Sequence, residues 1–144
     1  MSENNASQLE VIINASGSCK GNLGPLGSLV PDGISMVERS GLLIFEASTG
    51  SPAVRRQTVV FELPGNIQSG SHDQWARWFA IYVYDGEQVK SWRGLEGAID
   101  LVINSSKQEF SASLKYTVGA PDQSEFEVTV DLSISGFNKL ITPS

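Results

Sequence analysis

The residues with the clearest capacity for acid–base chemistry are His72 and Asp73, the one place where a histidine adjoins a carboxylate. A hydrolase that uses histidine as its general base would depend on this pair. Consecutive strand residues point to opposite sides, so only a loop would let the two side chains converge. Ser69 and Ser71 lie too near in sequence to form a convincing triad, and no G-x-S-x-G elbow occurs. A polar loop without catalysis is the interpretation we prefer, and no enzyme is predicted.

Metal and cofactor sites find little support in the composition. One histidine and one cysteine cannot supply the three or four ligands of a stable zinc site. Aspartates are available for calcium, but none follows the D-x-D-x-D-G spacing. The glycine-rich stretch lacks Gly-Lys-Ser/Thr and therefore fails as a phosphate-binding loop. We predict no metal and no cofactor, while a pair of distant carboxylates for glycoside hydrolysis remains an open alternative.

The aromatic segment WARWFAIYVYDGEQVKSW, residues 75–92, offers a different kind of chemistry. Alternation on its first strand separates Phe79, Ile81 and Val83, a natural core set, from an opposite face that carries large amphipathic rings. Flat aromatic rings on a sheet surface stack on sugars or other flat ligands. Packing in the core or against a second subunit would use the same rings and stays open. The candidate ligand-binding residues are Trp75, Trp78, Tyr82, Tyr84 and Trp92.

The turn Asp85-Gly86 predicts a two-residue type I′ hairpin within this segment, with Tyr84 opposite Glu87. That pairing places Gln88, Lys90 and Trp92 of the second arm on the same face as the core set. The match is imperfect, because two of these three side chains are polar. Either an edge strand or a bulge would account for it. A short connection, residues 93–96, is expected to follow.

The cleanest alternation lies in residues 97–135, where three apolar–polar runs predict an antiparallel meander with one buried face. Core-facing residues of the first two runs meet only if paired residue numbers sum to an odd value. A two-residue loop at 105–106, pairing Leu101 with Phe110, satisfies this, as does a longer even loop. The next connection, over 119–125, requires an even sum and sets Val118 opposite Phe126.

Further strands are predicted at 9–14, 34–38, 42–47 and 54–63. Between the first two lies a glycine-rich run from Ala15 to Gly33, which we interpret as a long surface loop, and 66–74 is expected to be a polar loop. Eight to ten strands without an amphipathic helix favour an all-β, single-domain antiparallel β-sandwich spanning 1–144, with jelly roll and closed barrel as alternatives. The ends, 1–7 and 139–144, are expected to be flexible.

Composition narrows the class of partner and the compartment. The chain has 144 residues, a net charge of −6 and a pI near 4.7, which disfavours nucleic acid and anionic membranes. A single cysteine excludes an internal disulfide, and the first residues resemble no Sec signal. We therefore expect a cytoplasmic protein, or one exported without a Sec signal peptide.

These observations specify a fold better than a function. The favoured prediction is a soluble, non-catalytic binding module of lectin-like type, using the aromatic face with the loops 17–33 and 66–74. The alternative is a structural protein that forms homo-oligomers through an exposed sheet face or edge strand. A pore-forming protein, for which the Ser/Thr-rich outer face of 98–118 would line the lumen, and a hydrolase are less favoured. Fold alone does not decide among them.

Overall fold

A computed structural model describes residues 10–12, 16–51, 55–104, 106–107, 109–121 and 123–135 of the chain. The expected flexible ends, 1–7 and 139–144, lie outside these residues. The all-β, antiparallel prediction is confirmed. The described residues contain eleven strands: β1 (Glu10–Ile12), β2 (Ser16–Asn22), β3 (Ser28–Leu29), β4 (Gly33–Arg39), β5 (Leu42–Ser51), β6 (Arg55–Pro64), β7 (Gly70–His72), β8 (Phe79–Tyr84), β9 (Val89–Asn104), β10 (Glu109–Ala120) and β11 (Gln123–Ser135).

The strands form one curled sheet in the order β1-β4-β5-β6-β8-β9-β10-β11-β2-β3, with β7 beside β9. The chain itself enforces the curl. In a flat sheet, eight strand spacings would separate β3 from β4 by ~38 Å. The three residues 30–32 that join these strands reach only ~14 Å. The sheet therefore bends until its opposite ends approach, which encloses one face.

The enclosed face forms the hydrophobic core. Side chains from nine of the described strands and both short helices contribute to it, including Phe45 and Phe61, whose rings stack with centroids 4.9 Å apart. Phe79 and Tyr116 meet across β9 at 5.3 Å. Within the described residues, no helix is long and apolar enough to cross a membrane. The two helices in this part of the chain are single 3₁₀ turns, η1 (Gly24–Leu26) and η2 (Ala76–Trp78).

The parity predicted for the meander is confirmed. Phe110 pairs with Ile103, an odd sum, so the turn after Asn104 is the longer even loop and the two-residue version is wrong. The prediction for the next hairpin holds residue for residue, since Val118 pairs with Phe126. That ladder continues past a bulge to Ala120 and Gln123, so the connection is shorter than 119–125.

The Asp85-Gly86 turn differs from the predicted two-residue form. Tyr84 pairs with Val89, so four residues, 85–88, make the loop. The Asp85 carboxylate accepts hydrogen bonds from the amides of Glu87 and Gln88, both at 3.0 Å. These bonds hold the pKa of Asp85 below its usual value. The carboxylate thus stabilises a wider turn than the Asp-Gly dipeptide predicts. The pairing of β8 with β9 is shifted by two residues from the predicted one, so each side chain stays on its predicted face of the sheet.

Residues 93–96 do not form a separate connection, because β9 runs without a break from Val89 to Asn104. A bulge at Leu95 makes this possible: Val118 pairs with Gly94 and Thr117 pairs with Glu96, which leaves Leu95 unpaired. The inward-facing positions consequently change from even numbers, such as Trp92, to odd numbers, such as Ile99. One strand therefore serves both the aromatic hairpin and the meander.

The prediction of a structureless loop over Ala15–Gly33 is wrong. Its first half is β2, paired with β11 through contacts such as Leu132 with Cys19. Small residues are required there, since a Cβ on Gly17 would lie 2.5 Å from the Ser133 carbonyl oxygen. The glycines that allow this close approach also remove the apolar alternation by which a strand is normally recognised.

Candidate functional site

Two exposed aromatic rings occupy the outer side of the sheet at η2 and β8. Trp78 is 49% exposed and Tyr82 39% exposed, while Phe79 and Ile81 are fully buried. Alternation on β8 places Ala80 and Tyr82 on the outward face, and Trp78 is the exposed last residue of η2, directly before the strand. The Cα atoms of Trp78 and Tyr82 are ~13 Å apart along the extended chain, and Ala80 is the outward residue of β8 between them. We call Trp78, Ala80 and Tyr82 the aromatic platform.

Tyr84 extends the outward series but is less exposed. Its hydroxyl donates a hydrogen bond to the Gly86 carbonyl at 3.0 Å, which fixes the ring against the turn. On the neighbouring strands it stands beside Val89, which is 61% exposed, and Arg56. The Arg56 guanidinium donates to the Ser48 hydroxyl at 3.1 Å. The Tyr84 ring is therefore held in place at the edge of the aromatic platform.

The structure does not bring Trp92 to this surface. Trp92 pairs with Ile81 and shares its inward face, with only 6% of its surface exposed. Its ring meets Phe126 edge-on, with centroids 6.1 Å apart and planes inclined at 66°. Opposite residues of an antiparallel pair lie on the same face, so Trp92 is part of the core.

Trp75 also lies apart from the two exposed rings. It precedes η2, where its carbonyl accepts the Trp78 amide at 3.0 Å, and it packs partly buried against the core. Its Nε1 is buried without a hydrogen-bond partner among the described residues. Trp75 therefore supports the helix that presents Trp78.

A basic residue that the sequence analysis assigned to a connection stands beside the platform. Arg93 pairs with Ala80, so its side chain leaves the sheet on the outward face between the levels of Trp78 and Tyr82. It is exposed, as is Arg77 in η2. The inward-facing positions change from even to odd numbers across the Leu95 bulge, and this change was the sequence signal that would have placed Arg93 on β9.

The predicted polar loop 66–74 contains a short strand and contributes little to the platform. His72 on β7 pairs with Ile99, and its Nε2 lies 2.8 Å from the Gln68 carbonyl oxygen. The Ser69 hydroxyl accepts the Ile103 amide at 2.9 Å and thus acts as a substitute strand partner for β9. Ser69 and His72 are both engaged by backbone groups that stabilise this edge.

An open cleft of about 590 Å³ lies farther along the outer side of β9. Asp73, Glu96, Lys115 and Glu127 line it, and Gly97 forms part of its floor. The Lys115 ammonium lies 3.7 Å from the Glu127 carboxylate, although both side chains are largely exposed. Solvent screening makes such a pair weak. Within the described residues, no group of His, Cys, Asp and Glu side chains is arranged to hold a metal ion.

Cys19, the one thiol, faces the core from β2 opposite Leu132. Burial, with a smaller contribution from the Asp131 carboxylate, raises the pKa of the thiol to about 11. The thiolate is the reactive form, so this environment suppresses nucleophilic chemistry.

The described surface thus presents the rings of Trp78 and Tyr82 with Arg93 beside them, whereas Trp75 and Trp92 belong to its support and to the core. The predicted partner loop 17–33 is far from this surface in the sheet order, because β2 lies four strands from β8. Comparisons of the chain with protein-family models, curated proteins and solved structures found no match.

Proposed function

We propose that this protein is a non-catalytic binding module of lectin-like type, whose ligand stacks on the aromatic platform. The observation that carries the proposal is the exposure of Trp78, at the end of η2, and of Tyr82, on the adjoining strand β8, at 49% and 39%. Large aromatic side chains are normally placed in the core, where they bury the most apolar surface. Two such exposed rings suit the apolar faces of sugar rings.

The support beneath the platform favours a preformed site. Phe79 and Ile81, on either side of Ala80, are fully buried, and β8 is paired on both sides by β6 and β9. A ligand would therefore meet rings whose backbone is already fixed, which lowers the entropic cost of binding. Polar side chains for directed hydrogen bonds stand next to Tyr82, with Thr58 on one side and Ser91 on the other.

A glycan array followed by calorimetric titration tests this function. Trp78→Ala and Tyr82→Ala are each expected to weaken binding by roughly tenfold, since an aromatic contact contributes ~0.5–1.5 kcal/mol beyond its buried area and 1.4 kcal/mol corresponds to tenfold. Val102→Ala is the control, because Val102 is 65% exposed on β9 but away from the platform. Binding that both aromatic variants retain, or the absence of any glycan ligand, would contradict the proposal.

Self-association through the same surface is the second candidate. Val89 lies beside Tyr84 and, with Tyr82 and Trp78, gives this side of the sheet several exposed apolar side chains. Exposed apolar patches are typical of protein contacts. Sedimentation distinguishes the two functions: a dimer that Tyr82→Ala dissociates supports self-association, and a monomer that binds glycans supports the binding module.

For the architecture we propose a sandwich-like arrangement, in which β4-β5-β6 faces β10-β11-β2 across the core. The hydrogen bond from Gln57 Nε2 on β6 to the Leu26 carbonyl in η1, 3.3 Å long, supports it, because it joins segments that are distant in the sheet order. A closed barrel would add a ladder between β1 and β3. Amide NOEs between those two strands would favour the barrel.

A further inference from the structure

We infer that the saccharide bound by the aromatic platform is acidic, and that the Arg93 guanidinium contacts its carboxylate. This inference rests on the proposed binding function and adds the chemical class of the ligand. A carboxylate and a guanidinium form two parallel hydrogen bonds, which fix both position and orientation.

The register locates the cation with respect to the rings. Arg93 stands directly opposite Ala80, and residues opposite one another in antiparallel strands leave the same face of the sheet. Neighbouring strands are ~4.8 Å apart, a distance that the long arginine side chain spans easily. Because Ala80 is small, it leaves the guanidinium access to the surface between Trp78 and Tyr82, where a stacked sugar would lie.

Arg93 is available for a ligand. Its side chain is exposed, and no carboxylate of the described residues lies within 4 Å of it. The same holds for Arg77, in the helical turn that presents Trp78. An exposed arginine beside an aromatic surface is less strongly hydrated than a lysine would be, which favours contact with both a ring and an anion.

The local charge differs from that of the whole molecule. Residues 55–93 contain five of the ten basic side chains but only four of the sixteen acidic ones, in a chain of net charge −6. On the outward face, Glu62 on β6 and Glu46 on β5 lie on one flank, and Glu96 lies three residues beyond Arg93 on β9, in the cleft that Lys115 also lines. From Arg93, Glu46 is three strands away, ~14 Å. An acidic ligand would therefore place its carboxylate at the Arg93 guanidinium, away from Glu46, and its hydroxyls toward the acceptors on β6.

The test uses an array of glycans bearing uronic or sialic acids, each printed beside its carboxyl-reduced counterpart, with the full-length chain as the probe. We expect the acidic form of the bound glycan to bind at least tenfold more tightly than the reduced form. Arg93→Gln is expected to abolish that difference, and Arg93→Lys to restore part of it. Lys107→Gln, at an exposed lysine in the turn between β9 and β10, is the control that should leave it unchanged.

Each result separates the two proposals. Equal binding of acidic and reduced glycans overturns the acidic ligand but leaves the binding module standing. The absence of any glycan ligand overturns both. Tighter binding to a single-stranded oligonucleotide than to any glycan also overturns the inference, because stacking rings with arginines serve that ligand as well. Thermal melting of Arg93→Gln and Arg93→Lys verifies that both variants remain folded.

Discussion

Among single residues, the three tryptophans show how neighbouring positions acquire different roles. Trp78 and Trp92 have the same chemistry, yet the first is 49% exposed and the second 6% exposed. The difference follows from the elements that carry them: Trp92 on β9 stands opposite the buried Ile81 and shares its inward face, whereas Trp78 ends the helical turn η2 at the surface. Composition alone could therefore not assign either ring to a surface or to the core.

Stability measurements test this assignment. Trp92→Ala is expected to lower the free energy of unfolding by ~3–5 kcal/mol, because it removes a buried aromatic side chain and leaves a cavity beside Phe126. Trp78→Ala is expected to change it by no more than ~0.5 kcal/mol, as for most exposed positions. Urea denaturation of both variants gives the comparison. Similar losses in the two variants would show that Trp78 is a structural residue and would weaken its role in binding.

At the scale of elements, β9 organises the molecule. Its sixteen residues pair with β8 and β7 on one side and with β10 on the other, and its bulge at Leu95 reverses which residues face the core. Just beyond the bulge Gly97 has φ +136° and lies against Tyr116. A Cβ at this position would lie 2.1 Å from the Lys115 carbonyl oxygen. The pairing of β9 with β10 at Gly97 therefore requires glycine on two grounds, the backbone conformation and the lack of space for a Cβ.

A matched pair of substitutions separates those two grounds. Gly70 in β7 has φ +132° but open space around its Cα, so Gly70→Ala tests the conformation alone. We expect it to cost ~1–3 kcal/mol. Gly97→Ala adds a clash with backbone atoms, for which a further ~1–3 kcal/mol is expected. Chemical denaturation measures both values. Equal losses would mean that β10 moves aside without cost and that the close packing at Gly97 is not required.

The alternation of apolar and polar residues correctly predicted strands that have one buried face and one solvent-exposed face. The register of β10 with β11 followed from the apolar side chains alone, because a slip of one residue would expose all of them. It did not predict β2, whose glycines carry no apolar signal, or the wide Asp85 turn, whose form depends on side-chain hydrogen bonds. The aromatic platform was predicted through Trp78 and Tyr82, but Arg93 was missed because one bulge changes the parity of its strand.

For the whole molecule, the order of the strands in the sheet could not be predicted from the alternation of apolar and polar residues. Alternation reports which face of a strand is buried, and many sheet orders bury the same faces. The order here places β4 and β3 near opposite ends although three residues join them. That connection is tied to the sheet by Asp32, whose amide donates to the Ser48 carbonyl at 2.8 Å and whose carboxylate accepts the Gly50 amide at 2.9 Å. Short connections and such local bonds determine how far the sheet curls.

The hydrogen bond between Gln57 and Leu26 provides the test of this closure. Gln57, at 7% exposed, is the one buried polar side chain among the described residues. Its amide donates to the Leu26 carbonyl in η1, next to strands at the opposite end of the sheet order. Gln57→Leu keeps the volume but leaves that carbonyl without its donor, so we expect a loss of ~1–3 kcal/mol. Amide exchange should also accelerate in η1 more than in the β10–β11 ladder, since the bond fastens η1 to β6. Thr58→Val, at the adjacent outward position, is the control. Unchanged exchange in η1 would show that the apolar contacts of Leu23 and Leu29 close the sheet without this bond.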